Sequence, residues 1–284
     1  MWILSRRNWA FNIAIVGVLA IIAFGFVAPM FTRDPFDFFQ KDKNGKILIF
    51  SSPSLDYPLG TDDYARDVFA QLAHATRNSL FIGFLTGIIV VIIGIGIGSM
   101  AGFLGGWYDD LLMLFTNIFM VFPVFPVLII LAAYVEERSI YLVIMIIAIV
   151  SWPWVARATR SQVLSLRERD FINLARVSGM KNLKIAAVEV LPNMLAYIGL
   201  IMAVVTAGAM IAETGISLMG FGPDPLKYIT LGEMLNRAYW NESLRSGFWW
   251  TYFPPGVILT SFFVFLFIIH RNLDELFNPR LKRR

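Results

Sequence analysis

Long apolar runs without a single charged side chain alternate with short polar segments along this chain. The first run, residues 9–31, is long enough to cross the roughly 30 Å apolar core of a bilayer as a helix rising about 1.5 Å per residue. Further runs of this kind occupy residues 79–104, 111–134, 140–155, 193–212 and 254–269. The pattern predicts an all-α polytopic membrane protein with six transmembrane helices.

Glycine and proline mark special points within these runs. Pro123 and Pro126 should kink the third run, because each removes a helical hydrogen bond. Pro254 and Pro255 are expected to begin the sixth helix, where a missing N–H costs nothing. Close approach of a neighbouring helix is predicted at the glycines of the second run, which are Gly94, Gly96, Gly98 and Gly102.

Composition supports a membrane protein and excludes several other classes. The chain is 57% hydrophobic with a mean hydropathy of +0.67, far more apolar than a soluble domain. Its net charge of +4 comes from basic residues at the ends of the apolar runs, so no nucleic-acid partner is expected. The chain has no cysteine, which excludes disulfides and zinc-thiolate sites, and its two histidines, His74 and His270, are too far apart to suggest a metal cluster.

Residues 32–77 form a polar insertion after the first span, and together with that span they make up an expected N-terminal unit, 1–77. Asn44-Gly45 predicts a type I′ turn between two short strands. A helix should follow, with Thr61 or Asp62 as its N-cap. Its apolar side would consist of Tyr64, Val68, Leu72 and Ala75.

The segment 157–192 is basic and amphipathic, and it lies between two apolar runs. Asp170 is a plausible N-cap of a first short helix, which Gly179 should end in the left-handed conformation. The spacing of Phe171, Leu174, Ala175 and Ser178 places them on one apolar or small face.

A second short helix is predicted directly after Gly179. Asn182 would cap it, and Pro192 should stop or kink it. The expected apolar stripe comprises Leu183, Ala186, Ala187 and Val190. A helix-Gly-helix module is therefore expected to protrude between two spans of the larger unit, 78–284.

This module resembles the Glu-Ala-Ala loop of the membrane subunits of ABC importers. The motif runs Glu-Ala-Ala, three residues, Gly, nine residues, Ile-x-Leu-Pro, and here Asn173-Leu174-Ala175 precedes Gly179 by that spacing while Glu189-Val190-Leu191-Pro192 closes it. Ala175, Gly179 and Leu191-Pro192 match, whereas Asn173, Leu174 and Glu189 depart from the motif.

Further matches extend the resemblance to most of the chain and narrow it to the dipeptide and oligopeptide branch of these permeases. They are the Pro-Leu-Gly-Thr-Asp-Asp-Tyr-Ala-Arg-Asp-Val segment from Pro58, the segment from Glu213 to Pro223, and the closing residues 272–281. The resemblance implies a type I ABC importer transmembrane domain with a small extracytoplasmic insertion after the first helix.

The resemblance also implies the partners of the chain and the residues that contact them. In that family the first short helix couples to a groove on the ATP-hydrolysing subunit. The residues that would serve this coupling here are Asp170, Phe171, Asn173, Leu174, Ala175, Ser178, Gly179, Leu191 and Pro192. A second homologous permease subunit, two ATP-binding subunits and an extracytoplasmic substrate-binding protein would complete the assembly. ATP and magnesium would be bound by the partner subunits, with no cofactor on this chain.

The residues themselves give a weaker argument that the energy for transport comes from a separate subunit. The six apolar runs carry essentially no ionisable side chain away from their ends, although an ion-coupled carrier normally needs one. The chain also lacks the Gly-x4-Gly-Lys-[Ser/Thr] phosphate loop, so ATP would have to act through a separate subunit. Sodium sites can be built from backbone carbonyls, so an ion-coupled secondary transporter or channel stays open. A membrane enzyme would need converging catalytic groups, and the sequence offers none.

The substrate is barely encoded. Resemblance implies di- or oligopeptides, but the same branch includes permeases for oligosaccharides and for nickel. Trp240 and other aromatic residues of the 221–252 segment could stack on a passing substrate, or they could form the usual belt at the membrane interface. Glu213, just past the expected fifth span, is a candidate translocation or gating residue or else a helix cap.

Charge placement predicts the orientation of the chain. Arg6 and Arg7 precede the first span and should stay inside, which places residues 32–77, 135–139 and 213–251 outside. The basic 157–192 segment and the tail, with Arg280, Lys282, Arg283 and Arg284, would then be cytoplasmic. We expect a multi-pass protein of a prokaryotic cell membrane with both termini in the cytoplasm.

Overall fold

The computed structural model describes residues 9–277, with the side chains of 182, 183 and 274–277 left out of the description. Within these residues the fold consists of helices, and β-pairing is limited to two isolated bridges. The helices are α1 (Trp9–Val27), α2 (Val68–Leu104), α3 (Gly106–Val121), α4 (Val124–Ala133), α5 (Ile140–Arg167), α6 (Asp170–Val177), α7 (Asn182–Ile185), α8 (Leu191–Asn193), α9 (Leu195–Leu218), α10 (Leu231–Trp240), α11 (Ser243–Ser246) and α12 (Trp249–Phe277). A 3-10 turn, Ala28–Met30, extends α1, and a π-helical segment, Ala186–Val190, joins α7 to α8.

Five helices are long and apolar enough to cross a membrane, namely α1, α2, α5, α9 and α12. The pair α3 and α4 passes the same test together and bends by 79° at the break between them. Counting this pair as one broken span gives the six predicted spans. The bend lies at Phe122-Pro123, which confirms the predicted kink of the third run.

The second span is the centre of the bundle, because α2 packs along both α5 and α9. Three of its glycines permit this contact: a Cβ at Gly98 would lie 2.3 Å from the carbonyl oxygen of Ala156, and Gly94 and Gly102 are similarly close to α5. Gly96 was expected to share this role, but open space surrounds it. By contrast, α1 and α12 are mostly exposed and pack against each other at the edge of the bundle.

The start of the second span corrects two predictions. The apolar side of the expected insertion helix is continuous with the span, so a single helix begins at Val68. Its N-cap is Asp67, whose carboxylate accepts hydrogen bonds from the backbone N–H groups of Phe69 and Ala70. Thr61 and Asp62 do not cap it, because both already bind groups within the insertion.

The predicted hairpin around Asn44-Gly45 is reduced to one isolated bridge between Lys41 and Ile47. The expected type I′ turn does not form. Instead the side chain of Asp42 holds the turn, because its Oδ1 accepts hydrogen bonds from the N–H groups of Asn44 and Lys46. Only Gly45 of the central pair has a positive φ, of 79°. The aspartate thus holds a type I turn followed by a left-handed glycine.

The last span begins earlier than predicted. Its helix starts at Trp249, so Pro254 and Pro255 lie inside it rather than at its first positions. Tertiary contacts determine this start, because the indole N–H of Trp250 donates to the carbonyl oxygen of Thr61 at 3.0 Å. The ring of Phe248 also stacks on Phe50 with 4.3 Å between centroids. These contacts join the insertion to the segment after α9, and we call this end of the bundle the insertion end.

Candidate functional site

A helical elbow, residues 170–193, lies at the opposite end of the bundle, which we call the elbow end. It contains α6, α7, the π-helical segment and α8. Its apolar side chains pack on Phe103 of α2 and Val163 of α5. The buried residues that the elbow and the start of α9 contribute to this cluster are Ile172, Ala175, Ile185, Val190 and Met194. The predicted protruding module is therefore a packed part of the bundle.

The inward face of α6 differs from the predicted one. Ile172 and Ala175 are buried, whereas Leu174, predicted to lie on the apolar face with Phe171, Ala175 and Ser178, is 67% exposed. Phe171 is only partly buried and Ser178 is exposed. Because Val177 is also 87% exposed, α6 presents two large aliphatic side chains away from the bundle.

The ends of α6 follow their expected chemistry with a shift of one residue at the start. Arg169 is the N-cap, and Asp170 is the first helical residue, where its negative charge complements the helix dipole. At the other end Gly179 N–H donates to the Arg176 carbonyl at 3.0 Å and Met180 N–H to the Ala175 carbonyl at 3.1 Å. This is a Schellman motif, with φ of 77° at Gly179, so the predicted glycine stop is confirmed.

The second arm of the elbow is less regular than predicted. Helix α7 begins at Asn182. The predicted cap, Asn182, and the predicted stripe residue Leu183 both have side chains that the structure does not describe. Val190 is buried and Ala186 half-buried as expected, while Ala187 is exposed. Leu191 is half-buried and Pro192 exposed in the short turn α8, just before α9.

Polar contacts connect the long helix α5 to α3 near the elbow end. The guanidinium of Arg160 binds the Asp109 carboxylate through two hydrogen bonds of 2.5 and 2.6 Å. One turn away, Arg157 donates to the side-chain oxygen of Asn117. We call these two contacts the α3–α5 latch. The latch was not predictable from the sequence, because neither Asp109 nor Asn117 shows in the sequence which basic residue it will contact.

A second polar cluster holds the insertion end together. Asp62 accepts from the Arg66 guanidinium at 2.7 and 2.8 Å and from the Gln71 amide at 3.0 Å, and this ion pair is almost fully buried. Arg237 of α10 binds Glu233 and lies 3.8 Å from Asp63. Burial raises the pKa of the Glu233 carboxyl, and the Arg237 guanidinium acts in the opposite direction. Asp62 and Asp63, two aspartates of the segment that begins at Pro58, therefore hold the fold together at the insertion end.

Glu213 lies inside α9, which continues to Leu218, so its predicted position just past the fifth span is wrong. Its side chain is fully buried. One carboxylate oxygen accepts hydrogen bonds from the hydroxyls of Ser217 at 2.7 Å and Thr230 at 2.6 Å. Since Thr230 also caps α10, Glu213 fastens α10 to α9.

The aromatic side chains predicted to stack on substrate divide into two groups. Trp240 and Tyr239 are exposed at the end of α10, in an edge-to-face pair with 5.7 Å between centroids. Trp250 is buried in the contact with the insertion, so the prediction that it could stack on a substrate is wrong. Among the described residues, no group of three or more histidine or acidic side chains is placed to hold a metal ion.

A bundle of apolar helices with a packed helical elbow at one end defines an integral membrane domain of the transporter class. The family described as "binding-protein-dependent transport system inner membrane component" matches residues 94–283. The chain belongs to this family, whose members are the membrane domains of type I ABC importers.

Individual relatives cover almost the whole chain. It is 27% identical over 286 residues to the oligopeptide transport system permease protein OppC of Bacillus subtilis, covering 98% of this chain and 88% of that protein. It is 31% identical over 278 residues to the dipeptide transport system permease protein DppC of Alkalihalophilus pseudofirmus, with 95% and 87% covered. OppC of Lactococcus lactis subsp. lactis is 30% identical over 226 residues, with 80% of this chain and 76% of that protein covered.

Proposed function

We propose that this chain is the permease subunit of an ATP-driven importer of di- or oligopeptides and forms half of the translocation path. The peptide substrate is supported by the relatives named as dipeptide and oligopeptide permeases. A second homologous permease, two ATP-binding subunits and an extracytoplasmic binding protein would complete the machine. ATP and magnesium belong to the ATP-binding subunits in this proposal, and the chain itself carries no catalytic step.

The observation that carries the proposal is the exposed apolar side of α6. Buried Ile172 and Ala175 anchor the helix, while Leu174 and Val177 project from it. Two large aliphatic side chains that a short helix presents away from the bundle fit an apolar groove on a partner, because burying them removes apolar surface from water. We assign this groove to the ATP-binding subunit.

Rigid-body transmission is supported by the packing of the elbow. Ile172 and Ala175 share one apolar cluster with the ends of α2 and α5, so in this proposal movement of α6 displaces those spans. The α3–α5 latch extends the displacement to the broken span formed by α3 and α4. Closure of the ATP-binding subunits would thus reorient the spans around the path.

The same proposal specifies orientation. The elbow end faces the cytoplasm, where ATP is available, and the insertion end faces the exterior, where a binding protein delivers substrate. The chain is then a multi-pass protein of a prokaryotic cell membrane with cytoplasmic termini. Glu213 and Trp240 lie toward the exterior in this arrangement, and Trp240 remains a candidate for contact with substrate.

The test is uptake of a labelled dipeptide by proteoliposomes that contain the complete assembly. Leu174→Asp combined with Val177→Asp should release the ATP-binding subunits during purification and lower uptake at least about tenfold, since each new carboxylate would have to be buried in an apolar groove without a partner. Leu226→Asp, an equally exposed leucine beyond α9, is the matched control and should retain uptake. Normal subunit binding and uptake in the double variant would refute the assignment of α6.

A further inference from the structure

A groove of about 490 Å³ lies at the insertion end, between α1, α2 and the start of α5. Its walls carry one guanidinium, Arg77, and the aromatic rings of Phe26, Phe81, Tyr141 and Tyr228. Phe81 meets Tyr141 edge to face, with 6.2 Å between ring centroids. We call this cavity the Arg77 groove.

Its guanidinium makes no ion pair with a described carboxylate. Arg77 is exposed, and none of the carboxylates whose side chains the structure describes lies at ion-pairing distance from its guanidinium. An arginine near the end of a span extends its charge to the membrane interface, where anionic headgroups are available. An anionic group is therefore the expected complement of the groove.

The groove lies near the insertion-end termini of two spans, where the boundary between hydrocarbon and headgroups is expected. A Cβ on Gly25 of α1 would lie 3.2 Å from the backbone nitrogen of Arg77, so the two residues are level. The 3-10 turn that extends α1 ends at Met30, about 8 Å further along at 1.5 Å per residue. Tyr141 is the second residue of α5, so this helix also begins at the groove.

Two exposed apolar stripes begin at the groove and run toward the middle of the bundle. On α2 the stripe consists of Phe81, Phe84 and Ile92, and on α5 of Tyr141, Met145 and Ile149. Such surface suits an acyl chain. A peptide would suit it poorly, because the backbone N–H and C=O groups of a peptide would find no partners along these side chains.

We propose that the Arg77 groove binds a phospholipid of the leaflet at the insertion end. The guanidinium and the hydroxyls of Tyr141 and Tyr228 hold the phosphate, and an acyl chain lies along the stripe below Phe81. Arginine suits this task because its planar array of N–H donors matches the oxygens of a phosphate. The bound lipid fills the space between α1 and α5 and so seals that edge of the bundle.

The first experiment counts phospholipid retained by the full chain, purified from membranes in mild detergent with the subunits that accompany it, by native mass spectrometry. Arg77→Gln should lose one phospholipid per chain, and Arg77→Lys should retain part of it because the charge remains. Arg245→Gln is the control, since this exposed arginine lies at the same end and outside the groove. The comparison uses wild type and Arg77→Gln complexes that are both monodisperse. Equal lipid counts in these two complexes would overturn the proposal.

A second experiment identifies the occupant directly and does not depend on the Arg77 variants. With the photoreactive residue p-benzoylphenylalanine replacing Phe81, which lines the groove and is not one of the phosphate ligands, irradiation of the complex in vesicles of phosphatidylethanolamine and phosphatidylglycerol should add the mass of one phospholipid. A cross-link to a second permease subunit would instead identify the groove as a protein interface. A cross-link to added peptide would identify it as part of the substrate path. Either result would reject the lipid site.

Discussion

Gly179 determines the angle at which the elbow turns, and it does so through its backbone alone. Its φ of 77° places it in the left-handed region, yet a Cβ added there would have no atom within 4 Å. Crowding by the rest of the fold therefore plays no part, and what remains is the local clash of a Cβ with the following carbonyl oxygen. The cost of another residue at this position is conformational, and it falls on the Schellman hydrogen bonds that end α6.

This predicts a graded response to substitution. Gly179→Val should cost about 1–2 kcal/mol in the left-handed conformation, shift the end of α6, and lower dipeptide uptake several-fold while ATP hydrolysis continues. Gly179→Asn should lose much less, because asparagine tolerates this conformation best after glycine. The measurement is the ratio of peptide transported to ATP hydrolysed in proteoliposomes. Equal ratios for the valine variant and the wild type would contradict this role.

Among elements, the latch between α3 and α5 is the polar contact that connects the elbow end of α5 to the broken span. It joins a long helix packed on the elbow to the arm that leads directly to the 79° bend. Arg160 is only partly exposed, and its guanidinium donates to both carboxylate oxygens of Asp109. This geometry makes the pair stronger than a typical surface ion pair.

A charge-reversal cycle tests the latch. Asp109→Arg and Arg160→Asp should each lower uptake several-fold without releasing the ATP-binding subunits, because the elbow surface is unchanged. The double variant should recover much of the loss, since the opposite charges meet again. The coupling energy is expected to be on the order of 1 kcal/mol. Additive losses in the double variant would mean that the pair transmits nothing.

The elements also show where sequence reasoning succeeds. Uncharged apolar runs predict spans because a helix makes all its backbone hydrogen bonds within one segment, as the hydrocarbon requires. Pro123 predicts the bend because proline removes one of these hydrogen bonds. The starts of helices were predicted less well. Asp62 looked like a cap but is committed to Arg66, and Pro254 looked like a first residue but the contact of Trp250 with Thr61 starts the helix earlier. The first choice is a local competition, since Arg66 is only four residues from Asp62, whereas the second depends on a distant partner that no local pattern contains.

For the same reason only part of the candidate site was predictable. Gly179 follows from local backbone chemistry, whereas the inward face of α6 depends on where α2 and α5 lie. A stripe containing Phe171 and Leu174 and one containing Ile172 and Ala175 are both compatible with helical spacing. The cluster with Phe103 and Val163 selects the second stripe and leaves Leu174 exposed.

At the scale of the whole molecule, the two ends of the bundle are built differently. The insertion end is joined by buried charges and stacked rings, as in the Asp62–Arg66 pair and the contact of Phe50 with Phe248. At the elbow end an apolar cluster of α6 with α2 and α5 takes the place of buried charges, and Leu174 and Val177 project from the opposite side of α6. The two ends therefore offer chemically different surfaces to their partners.

This asymmetry predicts that the two ends face opposite sides of the membrane, and the chain is well suited to the test because it has no cysteine. Leu55→Cys, in the fully exposed part of the insertion, should react with an impermeant maleimide added to intact cells. Val188→Cys, on an exposed part of the elbow that is not assigned to the groove, should react only after the membrane is opened, because the elbow faces the cytoplasm in the proposed orientation. Ile172→Cys, buried on the inner side of α6, is the control and should stay unlabelled in both conditions. Labelling of Val188→Cys in intact cells would place the elbow outside, away from ATP, and would remove the basis of the coupling proposal.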